Sequence, residues 1–222
     1  MDKNVVITGA NRGIGLALAH HYSTNGSQVF AVCRNSSTTL DEMNNVTIVD
    51  GIDVTNLRNL QHLKSVMEGI KIDILINNAG ILTEELLCEI DYERIEQQFK
   101  VNAMGPLRTT EALLNQLHTG AKVVLITSRM GSLADNSSGA SYGYRMSKAA
   151  LNAAGVSLAH DLKPKGIAVC MLHPGFVQTD LVGYQGNINT QQSAKQIQAR
   201  IKELTLNNSG WFKHANGEQI PW

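Results

Sequence analysis

Short β-branched runs recur along this chain, separated by stretches of helical period, and that alternation restricts the fold more than any other feature. Candidate strands are Asn4–Thr8, Gln28–Cys33, Val46–Asp50, Ile72–Ile76, Lys122–Thr127 and Ile167–Leu172, with a last short one in Trp211–Gly217 that runs into a turn. Candidate helices are Ile14–Tyr22, Leu57–Met67, Asp91–Leu117 and Tyr144–Leu162, and Ala194, Ile197, Ile201 and Leu204, spaced by three and four, mark another. Strands linked through helices pair in parallel, and a parallel sheet must be covered on both faces. The expected fold is a doubly wound α/β domain, three layers α/β/α around about seven strands.

The 222 residues, 43% of them hydrophobic, suffice for one core and are few for two domains, so 1–222 is read as a single domain. Lys and Arg number 19 and so do Asp and Glu, a formal net charge of zero, which excludes general attraction to nucleic acid or anionic lipid. No apolar run approaches the ~18 residues of a membrane helix, and Val5-Val6-Ile7 follows Met1 too closely for a signal peptide. A cytoplasmic location is expected. Cys33, Cys88 and Cys170 are odd in number and scattered, which argues against a disulfide framework and reads as three buried thiols. The histidines lack zinc-type spacing, so no metal is expected.

Between the first strand and the first helix lies Thr8-Gly9-Ala10-Asn11-Arg12-Gly13-Ile14-Gly15. Glycines there permit a tight turn and let the backbone approach a pyrophosphate, whose charge the helix N-terminal amides satisfy. A glycine cluster alone marks any turn; this one, in strand-turn-helix context, predicts dinucleotide binding. An NAD site would place an acidic residue on the ribose near the end of the second strand, but no Asp or Glu occurs from Leu16 to Leu40. Arg34 stands there instead, with Asn35 and Ser36 beside it and Arg12 in the glycine turn, a set suited to a 2′-phosphate. NADP(H) is therefore expected in preference to NAD(H).

Tyr144 and Lys148 are four residues apart and so share a helix face. An ammonium within ~4–6 Å favours the phenolate, so Lys148 is expected to lower the Tyr144 pKa. Ser128 follows the buried strand Lys122–Thr127 directly and is placed to orient a carbonyl oxygen, with Ser132 as the alternative hydroxyl. Pro106 lacks the N–H that the carbonyl of Asn102 would accept in a helix, so a bend is expected there. That carbonyl then needs another donor, either a water leading toward Lys148 or, in a plain kink, none beyond a local cap by the Asn side chain. Gly9, Arg34, Asp53, Asn78, Ser128 and Pro174-Gly175 all fall at the carboxyl ends of different predicted strands, the rim where such sheets bind ligands.

With these motifs the chain resembles the short-chain dehydrogenase/reductase superfamily over essentially its whole length, through Thr8–Gly15, Asp53-Val54, Asn77-Asn78-Ala79-Gly80, Asn102, Ser128, Tyr144/Lys148 and Pro174-Gly175-Phe176-Val177-Gln178-Thr179. The resemblance implies a Rossmann fold in which Asp53 and Val54 hold the adenine and Asn78, Ala79 and Gly80 support the adenosine end. It further implies that Val177 and Thr179 meet the nicotinamide carboxamide. By the same resemblance Asn102, Ser128, Tyr144 and Lys148 form a catalytic tetrad, with Lys148 also on the nicotinamide ribose. The run Tyr142–Asn152 and the ending Gly217–Trp222 are similar to the C-factor and sniffer-type carbonyl reductase branch. One departure is that Ser128 precedes Tyr144 by 16 residues, a few more than is usual there. The expected activity is NADPH-dependent reduction of a ketone, aldehyde or quinone, the alternative a dinucleotide-binding signalling protein of C-factor type. The substrate loop is placed at about 180–192, either a lid or a plain surface loop, and a homodimer or homotetramer is expected.

Overall fold

A computed structural model describes residues 3–222. Seven strands, β1 (Asn4–Thr8), β2 (Gln28–Val32), β3 (Val46–Val49), β4 (Ile72–Asn77), β5 (Leu117–Ile126), β6 (Ala168–His173) and β7 (Phe212–His214), form one sheet in the order β3-β2-β1-β4-β5-β6-β7. Every neighbouring pair is parallel. The order reverses direction between β1 and β4, and the crevice at that switch point receives the carboxyl ends of both strands. The helices are α1 (Gly13–Thr24), α2 (Thr38–Asp41), α3 (Leu57–Val66), α4 (Tyr92–Phe99), α5 (Gly105–Ala112), α6 (Tyr142–Leu162) and α7 (Thr190–Glu203).

The inner strands β1, β2, β4 and β6 bury both their faces, as a covered parallel sheet requires, while the edge strand β3 leaves Thr47 exposed. Val5 and Ile7 of β1 join the cluster beneath α1 and α7, with Leu18, Ile197 and Ile201, whereas Val6 between them joins the opposite cluster with Leu63, Leu151 and Leu162. The doubly wound α/β expectation is borne out in these two cores.

The single long helix expected over Asp91–Leu117 is broken. α4 ends at Phe99, a π-helical turn spans Lys100–Met104, α5 ends at Ala112, and Leu117 already belongs to β5. Pro106 cannot donate to Asn102, and the chain widens to an i→i+5 turn in which Gly105 N–H reaches the carbonyl of Lys100. β5 starts five residues earlier than its apolar run because residues 118–121 stand opposite Asp73 alone in its pairing with β4. Those residues are polar or small, and His118 bonds Asp73 at 3.2 Å from Nε2. Cys33 and Cys170 are buried, but Cys88 is exposed, within the solvent-facing stretch 86–89 of the connection between β4 and α4. No helix among the described residues is long and apolar enough to cross a membrane.

Candidate active site

Two turns at the switch point are stapled together. Thr8 Oγ1 accepts from the backbone N–H of Asn78 (3.0 Å) and of Ala79 (3.1 Å), while Asn78 Nδ2 donates to the carbonyls of Thr8 (2.9 Å) and Gly9 (3.2 Å). Gly9 and Gly13 have φ of +67° and +55°, which the turn needs and other residues resist. A Cβ on Gly15 would lie 2.1 Å from the Gly9 carbonyl oxygen, so α1 rests directly on the turn. Arg12 at the N-cap of α1 offers no side-chain cap, and the first turn carries no acid. The leading amides of this 12-residue helix are thus left for an anion.

A cleft of about 350 Å³ opens over these turns. Gly9, Asn11, Arg12, Gly13 and Ile14 line its phosphate end, Arg34, Asn35, Asp53, Val54, Asn78, Ala79 and Gly80 one flank, and Tyr144, Lys148, Pro174 and Thr179 the other. Six expected residues stand behind this wall. Thr8 and Gly15 hold the turn, Asn102 is fully buried, and Ser128 follows the lining Thr127. Val177 is buried and bridges to Ile188, and Gly175 packs against Ile188 and His214. Asp53 engages one carboxylate oxygen with Thr55, through its N–H (2.8 Å) and hydroxyl (2.7 Å).

The two arginines differ in a way their sequence positions do not reveal. Arg34 is exposed at the cleft and, among the described residues, makes no ion pair. Arg12 instead pairs with Asp180 at 2.6 Å, a partner the sequence did not indicate. Both partners are more than a third exposed, so the pair adds little stability, yet it joins the glycine turn to the segment after Thr179. That segment is folded on itself: Gln178 N–H donates to Ile188 (2.9 Å), Asn187 N–H to Phe176 (2.8 Å) and Tyr184 N–H to Thr179 (2.7 Å). The end of the expected 180–192 loop is already the first turn of α7, closed by an Asn189/Gln192 capping box.

At the other end, Tyr144 and Lys148 project from the first turns of α6 into the cleft. Lys148 Nζ lies 5.7 Å from the Tyr144 ring centroid and donates to the Ile126 carbonyl at 2.9 Å. Burial drives the Lys148 pKa down to about 8. Burial likewise pushes the Tyr144 phenol up to about 12, with the Ser128 hydroxyl acting in the opposite direction. The expected lowering by the ammonium does not set the direction of the shift: the buried phenolate would lose its water, and that loss dominates. Of the two candidate hydroxyls, Ser128 faces Tyr144, whereas Ser132 Oγ accepts from Asp135 N–H at 3.1 Å.

Of the two readings left open at Asn102, the local side-chain cap does not hold. The Asn102 side chain makes a long-range bond pair, accepting from Ile81 N–H (2.8 Å) and donating to Ile81 O (2.8 Å), rather than a local cap. Nδ2 also reaches Ser147 Oγ at 3.0 Å, and that hydroxyl donates to the Tyr144 carbonyl at 2.9 Å. A Cβ on Gly80 would stand 3.3 Å from Asn102 Oδ1 and 3.7 Å from Lys148 Nζ, so the glycine lets these side chains approach. Sequence reasoning missed Asp180, Glu85 and His173. His173, at the end of β6, stacks edge-on with His214 at 4.8 Å and is held neutral by burial, its pKa lowered to about 3. A strand-end position was the signal for His173; Glu85 and Asp180 find their partners far along the chain and carry none.

The family model for short chain dehydrogenases matches residues 3–202. The chain belongs to that family. Short-chain dehydrogenases are oxidoreductases, and the relatives within the family are close. A 1-hydroxy-2-glutathionyl-2-methyl-3-butene dehydrogenase of Rhodococcus is 37% identical over 98% of this chain and 99% of its own. The C-signal protein of Myxococcus xanthus is 44% identical over 68% of this chain and 93% of its own. Among solved structures, the NADPH-bound carbonyl reductase from chicken fatty liver superposes with a TM-score of 0.90 at 27% identity, covering 100% of this chain and 99% of that one. This short-chain dehydrogenase thus has both C-factor and carbonyl reductase relatives, as the run around Tyr144 and the chain ending anticipate.

Proposed function

We propose that the protein is an NADPH-dependent carbonyl reductase acting on a ketone, aldehyde or quinone. The observation that carries the reading is the convergence of Tyr144 and Lys148 on the same cleft as the uncapped start of α1 and the exposed Arg34. The residues present fit a dinucleotide. The amides of Gly13 and Ile14, with Asn11, would hold its pyrophosphate, and Arg34 with Asn35 its 2′-phosphate. Asp53, Val54, Asn78, Ala79 and Gly80 would face the adenosine, and Pro174 and Thr179 the nicotinamide, with Gly175 and Val177 supporting them from behind.

When bound, the reduced nicotinamide supplies the hydride for the carbonyl carbon. Tyr144 holds its proton at neutral pH, as a phenol does and more so with burial pushing it up to about 12, and it gives that proton to the carbonyl oxygen, completing the alcohol. Ser128 offers a second hydroxyl to the same oxygen. The Lys148 ammonium, 5.7 Å from the ring, favours the phenolate left behind. Asn102 fixes the loop at Ile81 that borders the cleft.

A second reading, a dinucleotide-binding signalling protein with little turnover, is favoured by the likeness to the C-signal protein. Fluorescence titration with NADPH and NADH, followed by cofactor oxidation against aldehydes, ketones and quinones, separates the two. Tighter NADPH binding with turnover supports the reductase, and binding without turnover supports the second reading. A homodimer or homotetramer is proposed from the exposed Met104, Leu107 and Met146 around α5 and α6, and light scattering on the purified protein reads it directly.

A further inference from the structure

The helix that carries Tyr144 begins without a cap of its own. Ser141, at its N-cap, has φ 48° and ψ 45° and makes no side-chain capping bond, and Ala140 before it is left-handed too, at φ 53°. The leading amides of a helix have no partner within it, and where the helix start is buried an acceptor must come from elsewhere. Here it comes from 58 residues upstream. Glu85 Oε2 accepts the Gly143 N–H at 3.0 Å, and the Glu85 backbone carbonyl accepts the Ser141 N–H at 2.9 Å.

The carboxylate is 1% exposed and forms no ion pair among the described residues. Burying a charge this way is costly unless it is fully bonded. Its other oxygen accepts from Thr83 Oγ1 (2.6 Å) and Gln98 Nε2 (2.8 Å), and the positive end of a 21-residue helix faces it. The loop bearing Glu85 is itself hung from the α4 side: Gln98 accepts from Thr83 N–H at 3.2 Å, and Asn102, four residues on, brackets Ile81. A Cβ on Gly143 would meet Gln98 Nε2 at 2.3 Å and Ile95 Cα at 3.1 Å, so the helix start is seated against α4. Tyr144 is the next residue.

We propose that Glu85 is a positioning residue for the reductase site: its carboxylate caps α6 from a distance and fixes where the Tyr144 hydroxyl stands relative to Ser128 and the Ile81 loop. The inference rests on the carbonyl reductase reading. A cap placed anywhere else on the protein would serve stability alone; one placed a single residue before the proton donor also sets the distance over which the proton moves, where an error of ~1 Å costs on the order of 10²-fold in rate.

The test uses Glu85→Ala and Glu85→Gln, after the wild-type protein has been shown to reduce a carbonyl compound. Glu85→Ala is expected to keep its far-ultraviolet circular dichroism and to hold its NADPH dissociation constant within about twofold, while kcat falls at least about tenfold. Exchange of the Gly143 amide should quicken by about tenfold or more. Glu85→Gln retains an oxygen for Gly143 N–H and its nitrogen can donate to Thr83 Oγ1, but that nitrogen also meets the Gln98 Nε2 donor, so kcat should recover part of the way, to at least about threefold above Glu85→Ala. If Glu85→Ala does not fold, Glu85→Asp, which withdraws the carboxylate from Gly143 but keeps the charge, carries the same expectations. Wild-type kcat in the truncated variant, no recovery in Glu85→Gln, or a loss of NADPH affinity equal to the loss of kcat overturns the proposal. Absence of wild-type turnover is the failure of the reductase reading; the Gly143 exchange rate then decides the cap by itself, and an unchanged rate in Glu85→Ala refutes it.

Discussion

Lys148 donates from Nζ to the carbonyl oxygen of Ile126, the last residue of β5, at 2.9 Å. The cation beside Tyr144 is therefore anchored to the sheet and cannot drift with its long stem. Anchoring has an electrostatic consequence, because the ammonium is held where burial disfavours its charge and its pKa falls to about 8 from an ordinary 10.5.

That depression makes stability depend on pH. Between about pH 8 and the ordinary lysine range the unfolded chain still holds the proton that the folded protein has released, so stability rises with pH across this window. The gain from about pH 7.5 to about pH 9.5 should be on the order of 2 kcal/mol. Above about pH 10 the raised phenol of Tyr144 works the other way, since the unfolded chain loses that proton first. Urea unfolding of wild type and Lys148→Met at both ends of the first window checks this, and equal slopes in the two proteins would remove Lys148 as the cause.

Tyr144→Phe deletes one hydroxyl from a buried ring and leaves the packing in place. Loss of a general acid costs ~10²–10⁴ in turnover. The reductase reading therefore expects kcat to fall by that range, with the NADPH dissociation constant within about twofold of wild type. Steady-state kinetics and a fluorescence titration on the same preparation supply both numbers, and an active phenylalanine variant contradicts the role given to Tyr144.

The strands around Tyr144 and the glycine turn were legible in the sequence because parallel strands buried on both faces leave continuous runs such as Val5-Val6-Ile7. What escaped was set by partners distant in the chain. The break in Asp91–Leu117 has a local cause, Pro106, which pointed to a bend and gives the π turn; the early start of β5 depends instead on the pairing of Leu117 with Ile72 across the sheet. The Asp180 partner of Arg12 was hidden because it lies 168 positions away, and the local cap stayed open for the Asn102 side chain because Ile81 is 21 residues away. The direction of the Tyr144 shift went unread for a related reason. Spacing brings a cation near, but desolvation depends on what all the other elements cover.

Cofactor preference should respond to the two arginines in opposite senses. Arg34→Ala removes a guanidinium that the reductase reading assigns to the 2′-phosphate, so NADPH should bind roughly tenfold to a hundredfold more weakly while NADH changes less than about twofold. Asp180→Asn releases Arg12 from its ion pair and should tighten NADPH a few-fold, roughly, with the gain fading at high salt. Isothermal titration of both dinucleotides at two ionic strengths measures this. A parallel loss of NADH and NADPH in Arg34→Ala would place that side chain elsewhere on the cofactor.

Gly15 and Gly120 allow a steric effect on binding to be told from a loss of stability. The backbone at Gly15 is ordinary, yet a Cβ there would sit 2.1 Å from the Gly9 carbonyl oxygen and 2.6 Å from Asn78 Nδ2. A backbone carbonyl cannot rotate away as a side chain can, so Gly15→Ala must push α1 off the turn. The cost should be about 1–3 kcal/mol in stability, and the displaced amides should weaken NADPH binding at least about tenfold. Gly120 has φ +94° and open space around it, so Gly120→Ala pays a backbone cost of about 1–2 kcal/mol at the far end of the sheet. The two variants should therefore unfold at similar urea concentrations and differ in cofactor affinity. If both bind NADPH as tightly as wild type, the start of α1 does not hold the pyrophosphate, and the anion site assigned to Gly13 and Ile14 must be given up.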